Sequence, residues 1–192
     1  MSVVLALQLP QAILLAADSR VSVLSQGQHV PLHDDASKIL ACNQHAFAAA
    51  GEGIMLDDRV DAFQLARTLM EASRRSSAID LADEFVDVIA PCLLETMNRA
   101  WKPTDDREGV LPGLQFLFSN AAEGHPALAW RTLVGVGSAS TGIRRIEVAQ
   151  ELEWPGPSTL IFLGQQVDPK QCKNLRFRTV AQAPALHAWA AG

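Results

Sequence analysis

Apolar positions set the outline of this chain before any single residue does. Ser2 to Leu7 and Ala12 to Ala17 are two short apolar runs separated by Gln8-Leu9-Pro10-Gln11, a pattern that predicts a hairpin of buried strands. Ser25 to Asp35, with Gly27, Pro31 and paired Asp34-Asp35, predicts a surface loop, and Ile39 to Ala50 a second hairpin turning near Asn43-Gln44. The period then changes. Leu56, Val60, Phe63, Ala66 and Met70 recur at helical spacing up to about Ser73. A second series, Ile79, Ala82, Val86, Ile89, Leu93, Met97 and Ala100, predicts a longer helix, with Pro91 inside it as the position of a kink or a missing hydrogen bond. Leu81, Phe85, Val88 and Leu94 fall off that stripe, so the helix is expected to be covered on more than one side, by a neighbouring subunit as well as by its own core.

Strand patterns return afterwards. Lys102 to Gly109 is polar and predicts a loop; Leu114 to Asn120 and Pro126 to Val136 predict two strands. Ile143 to Trp154 fits a strand or a helix, while Thr159 to Gln166 and Leu175 to Gln182 fit strands. No repeat, low-complexity stretch or linker divides the 192 residues, so one domain over residues 1–192 is expected.

Composition narrows the function. The net charge is −5, no basic run exceeds Arg74-Arg75 or Arg144-Arg145, and nucleic acid is not an expected partner. The first fifteen residues lack a signal-peptide pattern and no stretch approaches a membrane-spanning length, so no membrane association and a cytoplasmic location are expected. Cys42, Cys92 and Cys172 are scattered and read as apolar filler. The five histidines, mostly in predicted loops, have no metal spacing, and neither a metal nor an organic cofactor is implied.

The candidate chemistry sits at the start. Methionine followed by a residue as small as serine is normally excised, which would leave Ser2 with a hydroxyl and a free α-amine on one residue. An α-amine of pKa about 7.7 to 8.0 can take the proton as such a hydroxyl attacks a carbonyl. The chain then supplies Leu14 to Arg20 with its Ala-Ala-Asp-Ser-Arg turn, Lys38-Ile39, and Ala50-Gly51. In this order and spacing the sequence resembles the proteasome β-subunit-like N-terminal-nucleophile hydrolases, well over residues 2 to 53, plausibly to Ser140 and weakly beyond.

The resemblance implies an α+β fold, a four-layer αββα sandwich of two antiparallel sheets between helical layers, with an abbreviated or divergent C-terminal part. It implies Ser2 as nucleophile in place of the usual threonine. Lys38 would lie under it paired with Asp18, the Gly51 N–H would serve as oxyanion donor, and Ser138 would contact the terminal amine. Ser22 would pair with an extended substrate alongside Gly51. The family's late Asp-x-x-Ser is missing; Asp168, followed by Gln171 and Cys172, is the nearest acidic candidate. The expected reaction is peptide-bond hydrolysis of peptides or unfolded proteins inside a homo-oligomeric ring. An ATP-dependent unfoldase is a partner class that the resemblance allows and these residues do not specify. Two other readings stand beside this one, a non-catalytic ring subunit and an N-terminal-nucleophile amidase for a small amide.

Overall fold

The computed structural model describes residues 4–9, 12–19, 21–25, 28–33, 37–51, 61–73, 76–100, 109–120, 127–138, 142–153 and 159–163. Strands β1 (Val4–Gln8) and β2 (Ile13–Ala17) form the first hairpin, with Val4 opposite Ala17. Strand β10 (Thr159–Leu163) pairs antiparallel on the other side of β1, giving a three-stranded sheet in the order β10-β1-β2. Strands β5 (Ile39–Cys42), β6 (His45–Gly51), β7 (Gly109–Asn120), β8 (Ala127–Ser138) and β9 (Gly142–Glu153) form a five-stranded antiparallel meander in chain order. Asn43 turns the β5–β6 hairpin at φ 54°, a left-handed conformation that asparagine tolerates better than most residues.

Within the predicted surface loop at Ser25 to Asp35, Gln28–His33 is instead the second strand of a hairpin. Strands β3 (Val21–Ser25) and β4 (Gln28–His33) pair as a separate two-stranded sheet, with a register shift between Val21 and Ser22. Pro31 obscures this strand in the sequence, because proline cannot donate to a ladder; a two-stranded ribbon accepts it, since each strand has an outer edge.

Helices α1 (Ala62–Ala72) and α2 (Ala78–Ala100) lie over one face of the five-stranded sheet. Asp61 caps α1 by accepting from the Phe63 N–H at 2.8 Å. Ser77 and Asp80 close a reciprocal box at the head of α2: the Asp80 N–H donates to Ser77 Oγ at 3.1 Å, while the Ser77 N–H and hydroxyl donate to the Asp80 carboxylate at 3.0 and 2.7 Å. The buried stripe of α2 is Ala78, Leu81, Ala82, Phe85, Ile89 and Leu93, whereas Ile79, Val86 and Met97 are only partly buried. Leu81 and Phe85, expected off the core-facing stripe, are therefore at its centre. Phe85 decides the rotation, because its ring meets Phe47, Phe116 and Phe118 of the sheet at centroid distances of 5.2, 4.7 and 5.6 Å. The helix runs through Pro91, which is exposed.

A second buried cluster, on the opposite face of the five-stranded sheet, joins it to the three-stranded one through Val4, Ala6, Ala48, Ala50, Leu117 and Leu128. The described residues thus form helices, sheet and sheet in three successive layers, a mixed α+β arrangement.

Strand β9 resolves the ambiguity of Ile143 to Trp154 in favour of a strand. Its pairing with β8 slips twice, between Thr132 and Leu133 and between Val136 and Gly137. Each slip adds an unpaired residue, so Ile143 and Ile146 share the helix-facing side three positions apart and the two-residue alternation is hidden. Asn98 of α2 fixes the start of this strand: its Nδ2 donates to the Ile143 carbonyl at 2.8 Å and its Oδ1 accepts from the Ile143 N–H at 2.9 Å. Gly142, at φ +69°, precedes that contact, and a Cβ there would stand 2.7 Å from Asn98 Oδ1.

Candidate functional site

Lys38 immediately precedes β5 and is 4% exposed, an unusual place for an ammonium. Its Nζ donates to Asp18 Oδ1 at 2.8 Å across twenty residues of sequence. Asp18, directly after β2, keeps 32% of its side chain exposed. The pair is therefore asymmetric, with a desolvated cation and a carboxylate that still reaches water.

The two residues meet because their neighbours are core. Ala17, Ile39 and Ala50 all pack in or against the cluster between the sheets, and Asp18, Lys38 and Gly51 are each one residue away from one of them. Gly51 ends β6 opposite Leu114. Val4, the first described residue of β1, belongs to the same cluster and lies opposite Ala17, so β1 begins at the end of the sheet where Asp18 emerges. The start of β1, the ion pair and the end of β6 are thus gathered around one group of small apolar side chains.

Ser138 ends β8 opposite Gly142. Strands β6 and β8 run the same way, so it is at the same end of the sheet as Gly51. Thr132 is the β8 residue in the row of Ala50 and Gln115, so Ser138, six positions beyond that row, is about five positions beyond Gly51, roughly 16 Å along the strand at about 3.3 Å per residue. The register sets Ser138 apart from the other three. Ser22 stands in β3 opposite Pro31, in the separate hairpin. Ser2 and Asp168 lie outside the described residues.

Among the buried polar groups that sequence reasoning missed are His45 and Arg131. His45, which lies in the predicted hairpin of Ile39 to Ala50, opens β6 and is 2% exposed. Arg131, in the middle of β8, is also 2% exposed and donates from Nη2 to Asp83 of α2 at 3.0 Å, with Glu151 of β9 at 4.0 Å from its Nε. Its position between Trp130 and Thr132 in an otherwise apolar run was the available signal. Cys42 and Cys92 are half-buried against the helix-side core, and Cys172 is outside the described residues. Among the described residues no group of three His, Cys, Asp or Glu side chains is placed to hold a metal ion, and no helix is long and apolar enough to cross a membrane.

No family model matches this chain, and no curated protein matches it. Among solved structures it is similar to the Anbu (Gly-1) mutant from Hyphomicrobium sp. strain MC1, with a TM-score of 0.38 and 12% sequence identity over 87% of this chain. The chain spans 62% of the length of that protein.

Proposed function

We propose that this chain is a proteasome-like N-terminal-nucleophile hydrolase that cleaves amide bonds with Ser2 after removal of Met1. The observation that carries this reading is the buried Lys38 ammonium held on Asp18 at the end of the sheet where β1 begins. Burying a lysine ammonium is costly even when a carboxylate holds it. Beside a nucleophile it has a use, since its positive charge favours the ionised hydroxyl.

In this reading the α-amine of Ser2 takes the hydroxyl proton, directly or through water, as the oxygen attacks the carbonyl carbon. The Gly51 N–H donates to the carbonyl oxygen as it gains charge. The amine leaves with the proton, and water then hydrolyses the ester on Ser2. Peptides or unfolded polypeptides are the substrate class, with β3 around Ser22 offering backbone pairing to an extended chain. A second outer helical layer completes a four-layer sandwich, and subunits close into a ring that hides the site from folded proteins.

One observation favours a second reading. The separation of Ser138 from Gly51 along the sheet, together with the missing Asp-x-x-Ser, suits a ring subunit that has kept the Lys38–Asp18 framework without activity. Intact mass and covalent labelling separate the two. An active subunit lacks Met1 and takes up one peptide-like electrophile at Ser2, with labelling lost in Ser2→Ala and slowed about a hundredfold or more in Lys38→Met. Retained Met1 with no labelling identifies the inactive subunit.

A further inference from the structure

Thr132 is 9% exposed, and its Oγ1 has no hydrogen-bond partner among the described residues. The Trp130 Nε1 is in the same position, buried and without a partner among them. The two residues are two apart on β8 and so project from the same face of the sheet. That face looks toward β1 and β2, because Trp130 packs against the cluster that joins the sheets while Arg131 reaches α2 on the other side. A stranded hydroxyl and a stranded indole N–H each weaken a fold, and folded proteins rarely leave two such groups together.

The surroundings combine small apolar side chains with further polarity. Four of the apolar residues in or against this cluster are alanines, Ala6, Ala17, Ala48 and Ala50, which fill little of the space between two backbones. Gln115 stands directly opposite Thr132 in the β7–β8 ladder, and Ala50 is opposite Gln115, so the polar row runs from β8 toward the end of β6.

We infer that the layer between the two sheets contains a binding site for an internal water, held by Thr132 Oγ1 and Trp130 Nε1 with Gln115 as the third polar neighbour. A water needs two to four such partners, and it can accept from the indole while bonding a hydroxyl that serves as either donor or acceptor. The site satisfies two groups that would otherwise weaken the junction between the sheets. It requires nothing of Ser2 and stands whether or not the chain is a hydrolase.

The test is a water-to-protein nuclear Overhauser measurement on nitrogen-15-labelled protein, reading the Trp130 indole N–H assigned through Trp130→Phe. A cross-peak to long-lived water is expected in the unaltered chain and in Thr132→Ser, and its loss is expected in Thr132→Val. Thr132→Val should also lower the thermal midpoint by about 2 to 4 °C, with a smaller effect in the Trp130→Phe background. A dry indole in the unaltered chain, a cross-peak indifferent to Thr132→Val, or a midpoint raised by that change would overturn the assignment.

Discussion

Lys38 and Asp18 illustrate how unequal burial divides the cost of one ion pair. Removing the carboxylate leaves an ammonium 96% withdrawn from solvent, whereas removing the ammonium leaves a carboxylate with 32% of its surface still in water. Asp18→Ala is therefore expected to destabilise by roughly 3 kcal/mol or more, and Lys38→Met, which fills the same volume without charge, by less than about half of that. Urea unfolding of both variants checks the order, and the reverse order would mean that the lysine is solvated. The pairing was expected from the family resemblance, which rests on the order of the Ala-Ala-Asp-Ser-Arg turn and Lys38-Ile39, and the structure brings the two side chains together. The burial of Arg131 and His45 was not legible in the sequence, because a lone polar residue in a strand gives no sign of which face it occupies.

At the scale of elements, the cap of α2 gives a pH signature. The Ser77 hydroxyl and N–H hold the Asp80 carboxyl below its ordinary value of 3.8. A carboxyl with a depressed folded-state pKa stabilises the fold fully above the unfolded value, and this contribution is lost as pH falls through the lower folded value. Ser77→Ala is expected to cost about 1 kcal/mol near neutrality, and the gap should narrow as pH drops below about 4. Thermal unfolding of both proteins from pH 7 to pH 2.5 measures this; a constant gap would show that the carboxylate does not take part. Helix existence was plain from the three- and four-residue spacing of α2. Its rotation was not, because apolar residues surround much of the helix and only the phenylalanines of β6 and β7 select the face to bury. Strand β9 was ambiguous for the complementary reason that two register slips remove the period by which strands are recognised.

For the whole molecule, the sequence order of strands, two helices and more strands corresponds to the three layers seen, and the β1–β2 and β5–β6 hairpins are close to their expected bounds, with the β3–β4 hairpin between them unforeseen. The assembly expected from the apolar excess of α2 now has a smaller basis, since Leu81 and Phe85 are covered by this chain's own sheet and Val88, at 43% exposure, is what remains on the outside. A ring is nevertheless what the proposed function requires. Native mass spectrometry of the purified protein should show a closed homo-oligomer at micromolar concentration, and a monodisperse monomer would remove the ring from the proposal.

Strand β9 also has a stop built into its margin. Among the described residues it is the last strand of the five-stranded sheet, and a margin without a neighbouring strand invites another chain to add itself there. By engaging both backbone groups of Ile143, the Asn98 amide takes the place of an incoming strand at that point. The exposed charges of Arg144 and Arg145 stand beside it. A helix side chain thus does for one end of this margin what a neighbouring strand would otherwise do, and lengthening of the sheet from one molecule to the next is blocked where β9 begins.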